Sequence, residues 1–124
     1  MDQPMRVVVA NQPRLMRELI LETVRLQPDI EVVAEVQDEA DIARTVEENT
    51  PDYLIVALDE SDKYPAVCDG LLHRYPRMKV LALAAGRNVS LFFWASFNIE
   101  SISVEPSEDG ILSTLRGKRS IAGV

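Results

Sequence analysis

Apolar and polar positions along the chain switch repeatedly between a two-residue and a four-residue period, and the switches divide it into short elements. Arg6 to Ala10 (RVVVA) is a β-branched run of the kind that forms a strand buried on both faces. From Arg14 to Leu26 the pairs Leu15/Met16, Leu19/Ile20 and Thr23/Val24 recur every four residues, which predicts an amphipathic helix ended by Pro28-Asp29. Glu31 to Val36 reads as a second strand. Ala40 to Glu48 reads as a helix with Ile42, Ala43 and Val46 on one side, stopped at Asn49-Thr50-Pro51. Tyr53 to Leu58 (YLIVAL) is the most hydrophobic strand and is expected at the centre of a sheet.

The same alternation continues to the end. Pro65 to Tyr75 predicts a helix with Val67/Cys68, Leu71/Leu72 and Tyr75 turned inward, and Lys79 to Ala84 (KVLALA) a fourth strand. Asn88 to Phe97 is long enough and free enough of breakers for a helix. Ser101 to Val104 is a weaker fifth strand. Ser107 then caps a last helix through Arg116, with Ile111, Leu112 and Leu115 buried. Gly70 and Gly110 are the weak points of the helical assignments. Five strands alternating with five helices across short loops specify an α/β domain, with a parallel sheet covered on both sides and strand order 2-1-3-4-5.

Composition narrows the function without naming it. A length of 124 residues fits one domain with a single sizeable core. No apolar run approaches the roughly 18 residues that a membrane-spanning helix requires, and the start, Met1-Asp2-Gln3-Pro4, has no signal-like character. One cysteine, Cys68, cannot close an internal disulfide and fits a reducing, cytoplasmic setting. The formal charge of −7 argues against nucleic-acid binding by this domain alone. Acid is concentrated between Gln37 and Asp62, where nine carboxylates face only Arg44; such a run reads as a solvated helix face and loop, with a docking site for a basic partner as the alternative. Arg116, Lys118 and Arg119 suit a helix C-terminus.

Several local phrases stand in a telling order: Met5 to Ala10, then Arg17-Glu18, then Pro28-Asp29-Ile30-Glu31-Val32-Val33-Ala34-Glu35. Pro51-Asp52 leads into the third strand, Tyr75-Pro76 precedes the fourth, and Glu105-Pro106 follows the last. Together they resemble the receiver domains of bacterial response regulators, especially those attached to helix-turn-helix output domains. The resemblance implies a flavodoxin-like receiver-type domain over residues 5 to 118. Residues 1 to 4 would form a tail, and residues 119 to 124 a second tail or the start of a linker.

That family binds Mg²⁺ through acids at the ends of strands one and three, phosphorylates the strand-three aspartate, and reads the phosphoryl group with a Ser/Thr, a lysine and an aromatic residue. Carried onto this sequence, the acidic pair falls on Asn11 and Gln12, and the acceptor on Ala57. The Ser/Thr falls on Ala84, the lysine on Glu105, and the aromatic reporter on Ile102. Amides bind Mg²⁺ far more weakly than carboxylates, a methyl group cannot be phosphorylated, and Glu105 reverses a charge. Asp59 reaches the acceptor position only through an insertion, and none is evident between Pro51 and Pro76. The resemblance therefore implies a module without metal, cofactor or phosphoryl chemistry.

No other motif asks for an enzyme. His73 has no second ligand at metal spacing, Cys68 falls on an inward helix stripe, and the turn after the first strand has no glycine to wrap a phosphate. Leu91-Phe92-Phe93-Trp94-Ala95-Ser96-Phe97 remains: as a helix it would be apolar nearly all round. Either its rings are buried in its own core, or Phe92, Phe93, Trp94 and Phe97 form an exposed patch that docks a protein partner or a second copy. In receivers that face is helix four, strand five and helix five, and a two-fold homodimer is its simplest use. A longer DNA-binding regulator containing this receiver, and a small-ligand sensor using the emptied pocket, are the alternatives.

Overall fold

The computed structural model describes residues 3–11, 14–84, 89–95 and 99–117. Gln12, Phe97, Lys118, Arg119 and the tail from 119 to 124 lie outside that set. The elements are β1 (Met5–Ala10), α1 (Arg14–Arg25), β2 (Ile30–Glu35), α2 (Ile42–Asn49), β3 (Tyr53–Ala57), α3 (Val67–Arg74), β4 (Lys79–Leu83), β5 (Ser90–Ala95), β6 (Ile99–Ser103) and α4 (Glu108–Leu115). A 3-10 turn at Glu39–Asp41 leads into α2.

One sheet of six strands runs β2-β1-β3-β4-β5-β6. The expected order holds for its parallel part: β1 pairs with β2 and with β3, and β3 with β4, all parallel. Beyond β4 the expectation fails. Residues 90–95 form a strand antiparallel to β4, and β6 is antiparallel to β5 in turn. The described residues thus hold four α-helices instead of five, and an added strand stands where the fourth helix was expected.

Sterics and burial explain the exchange. A parallel return needs a crossover of roughly a dozen residues or more, whereas only residues 84–89 separate β4 from β5. A helix also cannot bury Leu91, Phe92, Phe93 and Trp94 at once, because they point around its whole circumference. A strand can, by sending alternate side chains to opposite faces. Leu91 and Phe93 join the layer under α2 and α3. Phe92 and Trp94 join the layer under α1 and α4.

The helices bury what the periodicity promised, with two offsets. In α1 the buried positions are Arg17, Ile20, Leu21 and Val24. Leu15 and Leu19 are 68% and 53% exposed. In α2 only Ile42 and Val46 are buried, and Ala43 points outward. Cys68, Leu71 and Leu72 of α3 are buried as expected. Ser107 caps α4 by accepting a hydrogen bond from the Gly110 N–H at 3.0 Å.

Gly110 has a further role. A Cβ there would lie 1.9 Å from the Glu105 carbonyl oxygen, whereas one on Gly70 would meet nothing within 4 Å. Arg116 fastens the end of α4 to the start of β2 by hydrogen bonds to Asp29 at 2.8 and 3.0 Å and to Gln27 at 2.8 Å.

Candidate functional site

Parallel strands deliver their C-terminal ends to one edge of the sheet, and ligands in such folds gather there. Asn11 follows β1, Ala57 ends β3, and Ala84 follows β4 on that edge. Asn11 is fully buried. Its Nδ2 donates to the Val56 carbonyl at 2.7 Å, so the carboxamide ties β1 to β3. Its Oδ1 has no hydrogen-bond partner among the described residues. Arg17, itself buried, donates from Nη1 to the Asn11 carbonyl at 3.3 Å. Ala57 stands beside Leu83 in the β3–β4 ladder, and Ala84 donates its N–H to the Val89 carbonyl at 3.0 Å.

Of the positions singled out from sequence, Asn11, Ala57 and Ala84 therefore stand along one edge, on the successive strands β1, β3 and β4. Ile102 and Glu105 do not adjoin them. They belong to β6 and the turn after it, and β5 intervenes between that strand and β4, which moves them outward by about 4.8 Å of sheet. The Asn11 amide is directed to Val56 on β3 and not toward Glu105. The position next to the end of β4 is occupied by Ser90, paired with Leu83. Ser90 is 2% exposed, and its hydroxyl has no hydrogen-bond partner among the described residues. Nothing in the sequence marked it, because it was assigned to a helix.

Asp59 is turned to its own loop. Its Oδ1 accepts from the Ser61 and Lys63 N–H groups at 2.8 and 3.0 Å, and its own N–H donates to the Lys63 carbonyl at 2.8 Å. That arrangement is an Asx-type turn. Among the described residues no three His, Cys, Asp or Glu side chains come together as metal ligands. No described helix is long and apolar enough to cross a membrane.

The remaining chemical side chains are held in structural roles. Cys68 is fully buried. Burial first, then the charges of Asp69 and Glu39, pushes its thiol up to about 12, so almost none of it is thiolate at neutral pH. Tyr64 donates its hydroxyl to Asp69. Burial and that bond raise its phenol well above the ordinary value. His73 sits with Nδ1 2.7 Å from the Asp69 carbonyl one turn earlier in α3.

The aromatic residues expected on a helical surface divide between the two faces of β5. Phe92 is 2% exposed, which makes it a core residue and not a docking anchor. Its ring lies 6.3 Å from Tyr53 and 5.6 Å from Trp94. Phe93, half-buried on the opposite face, has the Tyr64 ring 4.3 Å away. Among the described residues no helix between β4 and α4 carries the expected face; β5 and β6 of the six-stranded sheet stand there.

Structural comparison places this topology among solved proteins. The chain is similar to the signal receiver domain of the response regulator NarL from Mycobacterium tuberculosis, with a TM-score of 0.58 and 23% identity over 69% of this chain and 70% of that one. It is also similar to the RcsB response regulator of Salmonella typhimurium, studied for its conformational dynamism in DNA interaction, with a TM-score of 0.58 and 16% identity. The chain has the receiver fold. The RcsB match takes in 70% of this chain and 46% of the other. Neither a family model nor a curated relative matches the sequence. The sheet keeps the parallel β2-β1-β3-β4 order expected from the sequence, while the antiparallel β5–β6 hairpin departs from the expected five-stranded pattern.

Proposed function

We propose that this domain is a receiver-like signalling module that acts through protein–protein contacts and does not depend on phosphorylation. One observation carries the reading: the third strand ends in Ala57, beside a fully buried Asn11 whose amide is committed to the Val56 carbonyl. A methyl group has no oxygen to receive a phosphoryl group. A buried carboxamide that braces the backbone is a poor exchange for the acids that hold a hard divalent cation. Ala84 and Glu105 extend the pattern, one lacking the hydroxyl and the other carrying the wrong charge for phosphoryl recognition. We assign the domain no catalytic step.

Without a switch to select between states, the domain has one working conformation. Control then rests on partner binding, association or abundance. The similarity to RcsB, of which this chain matches less than half, favours a second and compatible reading. In it the domain is the regulatory portion of a DNA-binding protein, and the formal charge of −7 keeps the domain itself off nucleic acid.

Incubation with acetyl phosphate and Mg²⁺ tests the proposal. Intact mass and tryptophan fluorescence are expected to stay unchanged; a phosphoryl adduct on the protein refutes it.

A further inference from the structure

The two faces of the β5–β6 hairpin are covered unequally. On one, Phe92, Trp94 and Ile102 pack in the same layer as Leu112 and Leu115 of α4. On the other, Leu91, Phe93, Ala95 and Ile99 are half-buried at the margin of the layer under α3, and Ser101 is exposed. The Tyr64 ring lies against Phe93, with centroids 4.3 Å apart. A groove of about 430 Å³ results, floored by Tyr64, Ala66, Leu91, Phe93 and Ile99. Asp62, Lys63 and Asp69 form its rim. A sheet face this apolar is ordinarily packed under a second layer.

Charge decides what that layer is. The segment from Asp59 to Asp69 carries four carboxylates, Asp59, Glu60, Asp62 and Asp69, against Lys63. A second copy would bring an identical acidic rim against this one, and like charges across an interface cost affinity. An amphipathic helix with an apolar stripe and Lys or Arg on its flanks satisfies both floor and rim. We infer that the groove beside α3 is the docking site for a basic amphipathic helix of a partner protein, which completes the layer over β5 and β6. This rests on the reading of the domain as an interaction module and names the class of partner.

The test uses a synthetic amphipathic helix of about five turns, with leucines at i, i+3, i+4 and i+7 and lysines elsewhere, and a counterpart with glutamates for lysines. Each is titrated into the ¹⁵N-labelled protein at low salt. The lysine peptide is expected to shift the amides of Tyr64, Leu91, Phe93, Ile99 and Ser101, and the glutamate peptide to shift none. Asp62→Asn with Asp69→Asn leaves an acceptor for the Tyr64 hydroxyl and suits the left-handed backbone at Asp62 (φ 58°). It is expected to weaken binding by about tenfold, an effect that added salt mimics. Three results overturn the inference: no binding, shifts centred on the exposed leucines of α1, or light scattering that shows this face closing on a second copy. Failure of the peptide alongside inertness to acetyl phosphate rejects the groove and leaves the module reading standing. Phosphorylation rejects that reading whatever the peptide does.

Discussion

The four parallel strands and the antiparallel hairpin are built from similar residues but stabilised differently. In the parallel part, helices cover both faces, and Val7, Val8, Val9, Leu54, Ile55 and Val56 are all fully buried. Each of those strands was laid down next to a helix that returns over it. In the hairpin, one face packs in the layer with α4, and the other is half-buried beside α3 and the Tyr64 ring. The parallel part therefore resembles a finished core, and the hairpin a surface waiting for a layer. Under the proposed docking, stability and recognition fall to different halves of one sheet.

Substitutions sharpen that contrast. The largest expected effect lies at the junction between the halves. Gly110→Ala sets a methyl 1.9 Å from the Glu105 carbonyl oxygen, a backbone atom that cannot yield without moving the turn from β6 into α4. A loss of about 4 kcal/mol or more is expected in urea denaturation. Gly70→Ala, with open space around it in α3, is expected to gain about 0.5–1 kcal/mol by the same measurement. Equal effects at the two glycines would remove the close-approach explanation.

Next come truncations in the two halves. Leu72→Ala empties a fully buried site under the parallel strands and is expected to cost about 3 kcal/mol. Leu91→Ala, on the half-covered hairpin face, is expected to cost about 1 kcal/mol. A Leu91 loss as large as that of Leu72 would mean that the groove face is already closed.

The smallest effect is at the base of the sheet. The Arg116 side chain, through its hydrogen bonds, holds the Asp29 carboxyl below its ordinary value. A depressed folded-state pKa makes the contribution present above the unfolded value, about 4, and lost as pH falls through the folded one. Arg116→Leu is expected to move the Asp29 carboxyl titration, followed by NMR, back up toward the ordinary value. An unmoved titration would show that this exposed pair does not set it.

The parallel half was legible in the sequence because its signals are local. RVVVA and YLIVAL are runs too apolar and β-branched for anything but strands buried on both faces, and Pro28, Pro51 and Pro76 mark the helix ends. Asn11, Ala57 and Ala84 stand at or just past the ends of the parallel strands. Leu91 to Trp94 misled because a helix and a doubly buried strand can both be apolar throughout. Length arbitrates: a six-residue apolar run suits a strand better than a helix of three turns. That one change of element carried Glu105 a strand away from the site and sent Phe92 into the core. The crowding of Gly110 against Glu105 was beyond reach from sequence, since it depends on how closely α4 approaches the preceding turn.

Whether the end of β3 can take up a phosphoryl group separates a switch from a fixed module. Titration of beryllofluoride with Mg²⁺ into the ¹⁵N-labelled protein addresses this directly. The predicted result is no change at the amides of Asn11, Ala57, Leu58 and Ala84; saturable shifts centred on those four residues would contradict it.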